Sequence, residues 1–438
     1  MYHKFKPMAK FLVEGGSQLN GEICLSGSKN AATKMMVASL LTDDECVLEN
    51  FPEIGDTAIT SELLLGIGSK IATSKNVCRI KTADISRNQI LSLTRKNRIP
   101  ILVLGPLLAR TGKAEVPILG GDKIGPRPVD IHLSALGSLG AKIEASSSGY
   151  RAEAPGGLHG AKISFRYPSV GATENTILAA VLAKGRTIVE NAAVEPEIID
   201  LIKMLQKMGA IIELGTHRTI YIDGVQKLHG TKHKIMPDRN EAASFACLAA
   251  ASGGRVRVNG ISQDHLITFL NAIRRIGGQY LVEEGGIIFW RDAELMPAEI
   301  ETDAHPGFMT DWQQPFAVLL TAANGISFIH ETVYEDRFGY AGDLNLMGAN
   351  IKILTKCIGE LNCRFAGKNF YHSAIIEGSR KLKAQNLKVR DIRAGMAHLI
   401  AALVAEGTSE IDGAEEIDRG YENIDERLRS IGAKIKRV

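Results

Sequence analysis

One pattern, met six times along a chain of 438 residues, limits the possible folds more than any other feature. An amphipathic segment ends in an apolar residue, a glycine and a small residue, and a short alternating stretch follows. The instances are LLLGIGSKIA around Gly68, LSALGSLGAKIEA around Gly140, IKMLQKMGAIIEL around Gly209, NAIRRIGGQYLV around Gly277, LNLMGANIKIL around Gly348 and ERLRSIGAKIKRV around Gly432. In each, the glycine stands where a helix C-cap needs a left-handed backbone, and the residues after it switch to strand periodicity. Successive glycines lie about 70 residues apart, with a longer last interval, which fits one supersecondary unit per period.

Strand-like stretches recur between those glycines: CVLENFPEI near Glu49, AEVPILGGDKI near Glu115, GRTIVENAAVEPEI from Gly185, GRVRVNGIS from Gly254, GISFIHETVYEDRF from Gly325 and GTSEIDGAEEIDRG from Gly407. Segments such as 175–182 and 396–404 are apolar nearly all round, so they are expected to be buried helices. Six strand–helix–strand units suit an α/β protein of two lobes, three units each, with inner helices packed together, sheets outside and a ligand cleft between lobes. A fragment of a ring-shaped clamp, or a scaffold, would fit the repeats alone. The length calls for about two or three domains in any case.

Composition removes several function classes. A formal charge of +3 is too small to imply nucleic-acid or membrane-surface binding, and no apolar run has transmembrane length. The opening MYHKFKPMAKFLVEGG lacks the apolar core of a signal peptide, so a cytoplasmic location is expected. Cys24, Cys46, Cys78, Cys247, Cys357 and Cys363 show neither CxxC spacing nor nearby histidine partners. That pattern argues against zinc and against a disulfide framework, and leaves reduced, mostly buried thiols as the expectation.

The residues that carry chemistry gather in a few stretches. Ile118 to His132, ILGGDKIGPRPVDIH, is a glycine- and proline-marked loop bearing Asp122, Lys123, Arg127, Asp130 and His132. It reads either as a solvated surface turn or as a lid that brings an acid and a guanidinium to an anion. In LSGSKNAA, Lys29 and Asn30 stand at a helix N-terminus, which favours anions; with Ser28 as cap, a cation there is electrostatically unfavourable unless it has a use. Arg98, Arg127, Arg337, Arg393 and Arg419 all fall at strand-to-helix changes, and Asp336, Asp391 and Asp418 lie beside the last three. One such pair is a minor surface ion pair, but five cations at corresponding places suit a multiply anionic small substrate. After the His305-Pro306-Gly307 turn, Asp311 is either an N-cap or a base for a substrate hydroxyl. SVGAT offers backbone N–H groups from Ser169 at another helix start.

Taken together, LSGSKNAA, LGGDKIGPRPVDIH, SVGAT, NAAVEPEI, MPDRNEA, TDWQQPF, ETVYEDRF, DIRAGMA and IDRGYENI resemble, in order and over nearly the whole chain, the UDP-N-acetylglucosamine 1-carboxyvinyltransferase family of enolpyruvyl transferases. The resemblance implies a two-lobed inside-out α/β barrel, with 29–236 as one lobe carrying the lid around 118–132, and 1–28 plus 237–438 as the other. It implies transfer of enolpyruvyl from phosphoenolpyruvate to the 3-hydroxyl of UDP-N-acetylglucosamine, the first committed step of peptidoglycan synthesis and hence of cell-wall biogenesis, shape and division. No cofactor and no metal are expected, the partners are the two small-molecule substrates, and a monomer is expected.

Carried over residue by residue, the resemblance gives Lys29, Arg98, Arg127, Arg337 and Arg419 to phosphoenolpyruvate. Asn30, Arg98, Arg127, Pro128, Val129, Asp130, Ile131, Ser169, Val170, Gly171, Asp311 and Val333 go to the nucleotide sugar. Lys29, Asp122, Asp311 and Arg393 are implied in catalysis, Asp311 as base. Asp122 stands where most members carry a reactive lid cysteine, which implies insensitivity to the epoxide fosfomycin. The rival readings are a paralogue using another nucleotide sugar, 5-enolpyruvylshikimate-3-phosphate synthase, and a non-catalytic binding protein of the same fold.

Overall fold

The computed structural model describes residues 9–90, 92–95, 97–121 and 124–438. Each of the six glycines stops its helix with a positive φ, at 120° for Gly68, 97° for Gly140, 101° for Gly209, 92° for Gly277, 103° for Gly348 and 97° for Gly432. A Cβ is costly in that conformation, which is why the pattern marks the turn from outer helix to hairpin so regularly.

Among the described residues the repeats build six sheets, and one arrangement recurs in them. In the sheet of Glu45–Glu49, the strand Lys232–Lys234 lies parallel on one side, while Val77–Lys81 and then Lys70–Ser74 follow antiparallel on the other. Five sheets share this four-stranded order; the sixth, around Lys113–Pro117, has three strands plus a parallel bridge from Gln89 to Glu115. The strand that leaves each inner helix has nearly the same burial in every repeat. Glu45–Glu49, Lys113–Pro117, Arg186–Glu190, Arg255–Asn259 and Thr408–Asp412 bury their second and fourth residues and leave the fifth half-buried. Alternation of this kind puts one face on helices and the other toward water. Ile326–His330 departs from it, because its fifth residue, His330, is buried as well.

These residues form two compact units, each discontinuous in sequence. The terminal unit takes, of the described residues, 9–26, 124–127 and 237–438, and the central unit takes 27–121 and 128–236. Each has three sheets and three inner helices. In the central unit the helices Lys29–Ala38, Pro100–Thr111 and Val170–Ala180 supply the core. Gly105 permits a close approach between two of them, since a Cβ there would lie 3.1 Å from the backbone of Asn175 and Ala179. In the terminal unit Arg239–Ser252, Gln313–Thr321 and Ile392–Val404 pack on one another, and every residue of the second is buried. Fully burying one of their leucines is worth roughly 1.5–3 kcal/mol. Ser28, Ser169, Asp238 and Asp391 cap four of the six inner helices through their side chains.

Early strands complete late sheets. Lys10–Glu14 lies antiparallel between Thr408–Asp412 and Lys434–Arg437, and Asn20–Cys24 runs parallel to Arg255–Asn259. The α/β fold of six repeats read from the sequence is therefore borne out, with helices inside and sheets around them in each unit. The glycine-rich loop is divided differently from the expectation that it belongs wholly to 29–236, for 124–127 groups with the terminal unit. The reason is local: Ile124 accepts the Asp336 amide at 3.2 Å, and the Arg127 guanidinium lies 5.2 Å from the Tyr334 ring. Asp122, the expected lid acid, and Lys123 lie outside the described residues.

Candidate active site

Asp311 is the point at which two buried arginines of the terminal unit, Arg337 and Arg393, meet. It belongs to a short 3-10 turn, Thr310–Trp312, with Met309 at the N-cap, and neither this turn nor the helix Gln313–Thr321 after it has a side-chain cap. Instead Oδ1 accepts from Arg337 Nη2 at 2.5 Å, and Oδ2 accepts from Arg393 Nε at 3.2 Å and Asn240 Nδ2 at 3.3 Å. Both guanidiniums are buried. Burial alone would lower the pKa of Arg337, but Asp311, Asp391 and Glu331 outweigh it and raise the group above its usual value. For Arg393 burial is likewise outweighed, by Tyr421, Asp311 and Asp238. Both are permanent cations.

The acids beside these arginines in sequence have other work. Asp391 Oδ1 accepts the amides of Arg393 and Ala394, each at 3.0 Å, and so starts the helix that carries Arg393. Asp418 takes a two-pronged contact from Arg437 at 2.7 and 2.8 Å, while Arg419 reaches Glu416 at 2.9 Å. Glu331 fixes the segment leading to Arg337: one oxygen accepts the Val333 and Tyr334 amides at 2.8 and 3.0 Å, and the other accepts Thr310 Oγ1 at 2.8 Å. The Tyr334 ring lies 5.0 Å from the Arg337 guanidinium as well as close to Arg127. Tyr421 receives Arg393 Nη1 at 3.0 Å and shares a hydrogen bond with Ser244.

In the central unit, Lys29 begins its helix beside Asp56, 3.0 Å from Nζ to Oδ2, so the cation at that N-terminus is held by a carboxylate. Asn30 follows it in the first turn. The Ser169 cap opens the helix bearing Val170 and Gly171, and a Cβ on Gly171 would sit 3.0 Å from the His132 ring. His132 is buried and its Nδ1 faces the Asn175 amide at 3.3 Å; burial first, then the charge of Arg98, holds its pKa down at about 3. Arg98 thus lies within electrostatic reach of this helix start. Pro128 and Val129 lead into the helix Asp130–Ser138, which contains Ile131; Asp130 pairs with Arg166 at the surface. One turn beyond Ser169, buried Glu174 lies 3.8 Å from Lys34. Burial pushes its carboxyl up to about 7, Lys34 pulls the other way, and Glu197 and Glu195 add to the rise.

Three groups were missed in the sequence. Asn240 occupies in MPDRNEA the place that Asn30 occupies in LSGSKNAA, a cap followed by a cation and an asparagine; aligning the repeats on their helix starts would have found it. Tyr421 and Glu331 give no local signal, since their partners lie far away in sequence. A correction concerns the cysteines, which were expected to have no histidine partners. Cys357 and Cys363 lie with His330 and His372 in the terminal unit, their four ligand atoms all within 4.8 Å of one another. Pairing of Ile326–His330 with Ser373–Glu377 sets His330 beside His372, and the loop between Leu354 and Ser373 brings in both cysteines.

The sequence model of the family described as EPSP synthase (3-phosphoshikimate 1-carboxyvinyltransferase) matches residues 13–428. The chain belongs to the enolpyruvyl transferase family. The chain is 50% identical to the UDP-N-acetylglucosamine 1-carboxyvinyltransferase of Chlamydia pneumoniae, over 97% of this chain and 94% of that protein. It is 41% identical to UDP-N-acetylglucosamine 1-carboxyvinyltransferase 2 of Carboxydothermus hydrogenoformans, over 98% of this chain and all of that protein. Among solved structures, the enolpyruvyl transferase NikO from Streptomyces tendae superposes with a TM-score of 0.85 at 21% identity, covering 98% of this chain and 99% of its own. At that identity the likeness speaks for the fold. The family resemblance carried by the motifs is borne out.

Proposed function

We propose that this enolpyruvyl transferase moves the enolpyruvyl group of phosphoenolpyruvate to the 3-hydroxyl of UDP-N-acetylglucosamine and releases phosphate, the step that commits the nucleotide sugar to peptidoglycan. The observation that supports it most is Asp311 held by Arg337, Arg393 and Asn240 in a chain half identical, over nearly its full length, to a protein named for that reaction. A carboxylate fixed by two permanent cations has its orientation set before substrate arrives, which is what a base acting on one hydroxyl needs.

The reaction balances as addition followed by elimination. The sugar 3-hydroxyl loses its proton to Asp311 as its oxygen bonds to C2 of phosphoenolpyruvate, while C3 gains a proton and becomes a methyl group. The tetrahedral ketal then loses phosphate from C2 and a proton from C3 to give the enol ether. Lys29, Arg98, Arg127, Arg337 and Arg419 are assigned to the carboxylate and phosphate, where preplaced cations stabilise charge in both steps. Arg393, bound to Asp311, takes part in orienting it. Asp122 is assigned to proton transfer at C3 or to the departing phosphate. Asn30, Pro128 to Ile131, Ser169 to Gly171 and Val333 are assigned to the nucleotide sugar, as are Arg98, Arg127 and Asp311. The protein works as a monomer in the cytoplasm on this reading; among the described residues no helix is long and apolar enough to cross a membrane.

The deciding assay follows phosphate release from phosphoenolpyruvate with UDP-N-acetylglucosamine, with shikimate 3-phosphate and with no acceptor. Release is expected with the first alone. Release with shikimate 3-phosphate alone, or with neither acceptor, would overturn the assignment.

A further inference from the structure

The fifth repeat departs from the other five in three ways, and all three meet at one point. Its leading strand, Ile326–His330, buries a histidine where the others place a half-exposed residue. Opposite it, on the parallel strand Glu299–Glu301, stands Glu301. Its hairpin is also unusual. The strands Asn350–Leu354 and Ser373–Glu377 are joined by 18 residues, 355–372, whereas four other hairpins close within two to five, as between Lys70–Ser74 and Val77–Lys81 or between Ile211–Leu214 and Ile220–Asp223. A loop of that length without a strand or helix of its own needs something to hold it.

We propose that His330, Cys357, Cys363 and His372 bind one zinc ion, which staples this loop to the end of the Ile326–His330 strand. The four ligand atoms lie within 4.8 Å of one another, and Cys357 Sγ is 3.3 Å from His372 Nε2. Tetrahedral zinc with usual bond lengths needs ligand atoms about 3.3–3.8 Å apart, so side-chain rotations suffice to close the shell. The outer hydrogen bonds already select the right nitrogens. His330 Nδ1 is bonded to Glu301 Oε2 at 2.9 Å, and its Nε2 is buried with no hydrogen-bond partner among the described residues. His372 Nδ1 donates to the Phe370 carbonyl at 2.7 Å, leaving the lone pair of Nε2 on the side of Cys357. Cys363 Sγ accepts the Phe365 amide at 3.4 Å, the kind of contact that stabilises a thiolate.

Glu301 does a second job. Its carboxylate accepts the Glu360 and Leu361 amides at 2.8 and 2.9 Å, so the acid that orients His330 also grips the loop between the two cysteines. Gly359 is needed there, because a Cβ would lie 2.1 Å from Glu301 Oε2 and 2.4 Å from His330 Nδ1. Two thiolates and two imidazoles are a donor set suited to zinc, and a carboxylate behind a ligating histidine is its usual support. Four protein ligands fill the shell and leave no position for substrate or water, so the ion is structural. It is placed to anchor the loop from which Arg364 donates to the carbonyls of Thr332 and Val333.

The test is to express the full chain without a histidine tag in zinc-supplemented medium and measure metal by plasma mass spectrometry after gel filtration. One zinc per chain is expected, and the Cys357→Ser/Cys363→Ser double variant should lose it, while Cys24→Ser, at an exposed cysteine far along the chain, should keep it. Cobalt(II) added to the stripped wild-type chain should give a thiolate-to-cobalt charge-transfer band and the intense visible bands of a tetrahedral site. Should the double variant fail to fold, Glu301→Gln leaves all four ligands in place and should weaken zinc roughly 10–100-fold in competition with a chromophoric chelator. Absence of both zinc and the cobalt spectrum in the wild type, zinc retained by a folded double variant, unchanged affinity in Glu301→Gln, or a Cys357–Cys363 disulfide in the freshly purified protein would each overturn the proposal.

Discussion

Replacing Asp311 by asparagine keeps the side chain's shape and removes its charge, and the cost follows contact by contact. The carboxylate accepts hydrogen bonds from Arg337, Arg393 and Asn240, the first two through buried guanidiniums. An asparagine can keep its oxygen toward Arg337 but must then turn an N–H group toward Arg393 Nε. Asn240 can adapt, because its own Oδ1 is buried without a partner among the described residues and can accept that N–H if the amide turns over. Breaking a buried ion pair usually costs about 3–5 kcal/mol. Here each cation keeps other acids near it, Asp391 and Glu331 for Arg337 and Asp238 for Arg393, so the low end of that range or slightly less, about 2–3 kcal/mol, is expected. If Asp311 is the base, kcat for phosphate release should also fall by about 10²–10⁴-fold. Urea unfolding gives the first quantity and steady-state phosphate release in the folded range gives the second. A variant that loses stability yet keeps kcat within about threefold of wild type would show that Asp311 only neutralises the arginines, and the base assignment would be wrong.

Glu174 makes stability depend on pH. Its folded carboxyl titrates at about 7 against an ordinary glutamate value of 4.5, so between those values the folded chain holds a proton that the unfolded chain releases, and stability falls as pH rises through that window. Glu174→Gln should therefore melt higher than wild type at pH 8, by an amount on the order of 2–3 kcal/mol, with the gap closing near pH 4; parallel melting curves for the two proteins across that range would contradict it. A lid aspartate has an ordinary pKa of about 3.9 against about 8.5 for cysteine. Asp122→Cys should accordingly move the pH optimum of phosphate release upward and make the enzyme sensitive to fosfomycin, and an unchanged pH profile, or covalent labelling of the wild-type Asp122 by the drug, would count against its role as a proton donor.

How much could be read in advance followed the range of the forces involved. The six glycines were legible because a left-handed helix stop is decided within a few residues, and the apolar helices because burial on all sides leaves no polar stripe. Lys29 and Arg393 were legible at helix starts for the same local reason, whereas Arg419, expected at a strand-to-helix change, lies just beyond the short helix Ala414–Ile417. What Asp311 does was not legible, since whether an Asp caps its helix or meets Arg337 and Arg393 depends on how three inner helices pack. The His330, Cys357, Cys363 and His372 cluster was misjudged because it depends on strand pairing, which sets His330 beside His372, and on the fold of the 355–372 loop that carries the cysteines. Asn240 lay between these cases: its signal was present, but only in the likeness of one repeat to another.

The pairing of early strands with late ones sets a timetable for the chain as it leaves the ribosome. The central unit has all its strands once Lys232–Lys234 has been made. The Lys10–Glu14 strand waits for Thr408–Asp412 and Lys434–Arg437, some 400 residues later. At about 5–20 residues per second that wait is roughly 20–80 s, during which a strand with two apolar, otherwise buried side chains, Phe11 and Val13, has both edges unpaired. The terminal unit thus becomes protected after the central one, and the moment at which both resist protease is fixed by the arrival of Lys434–Arg437.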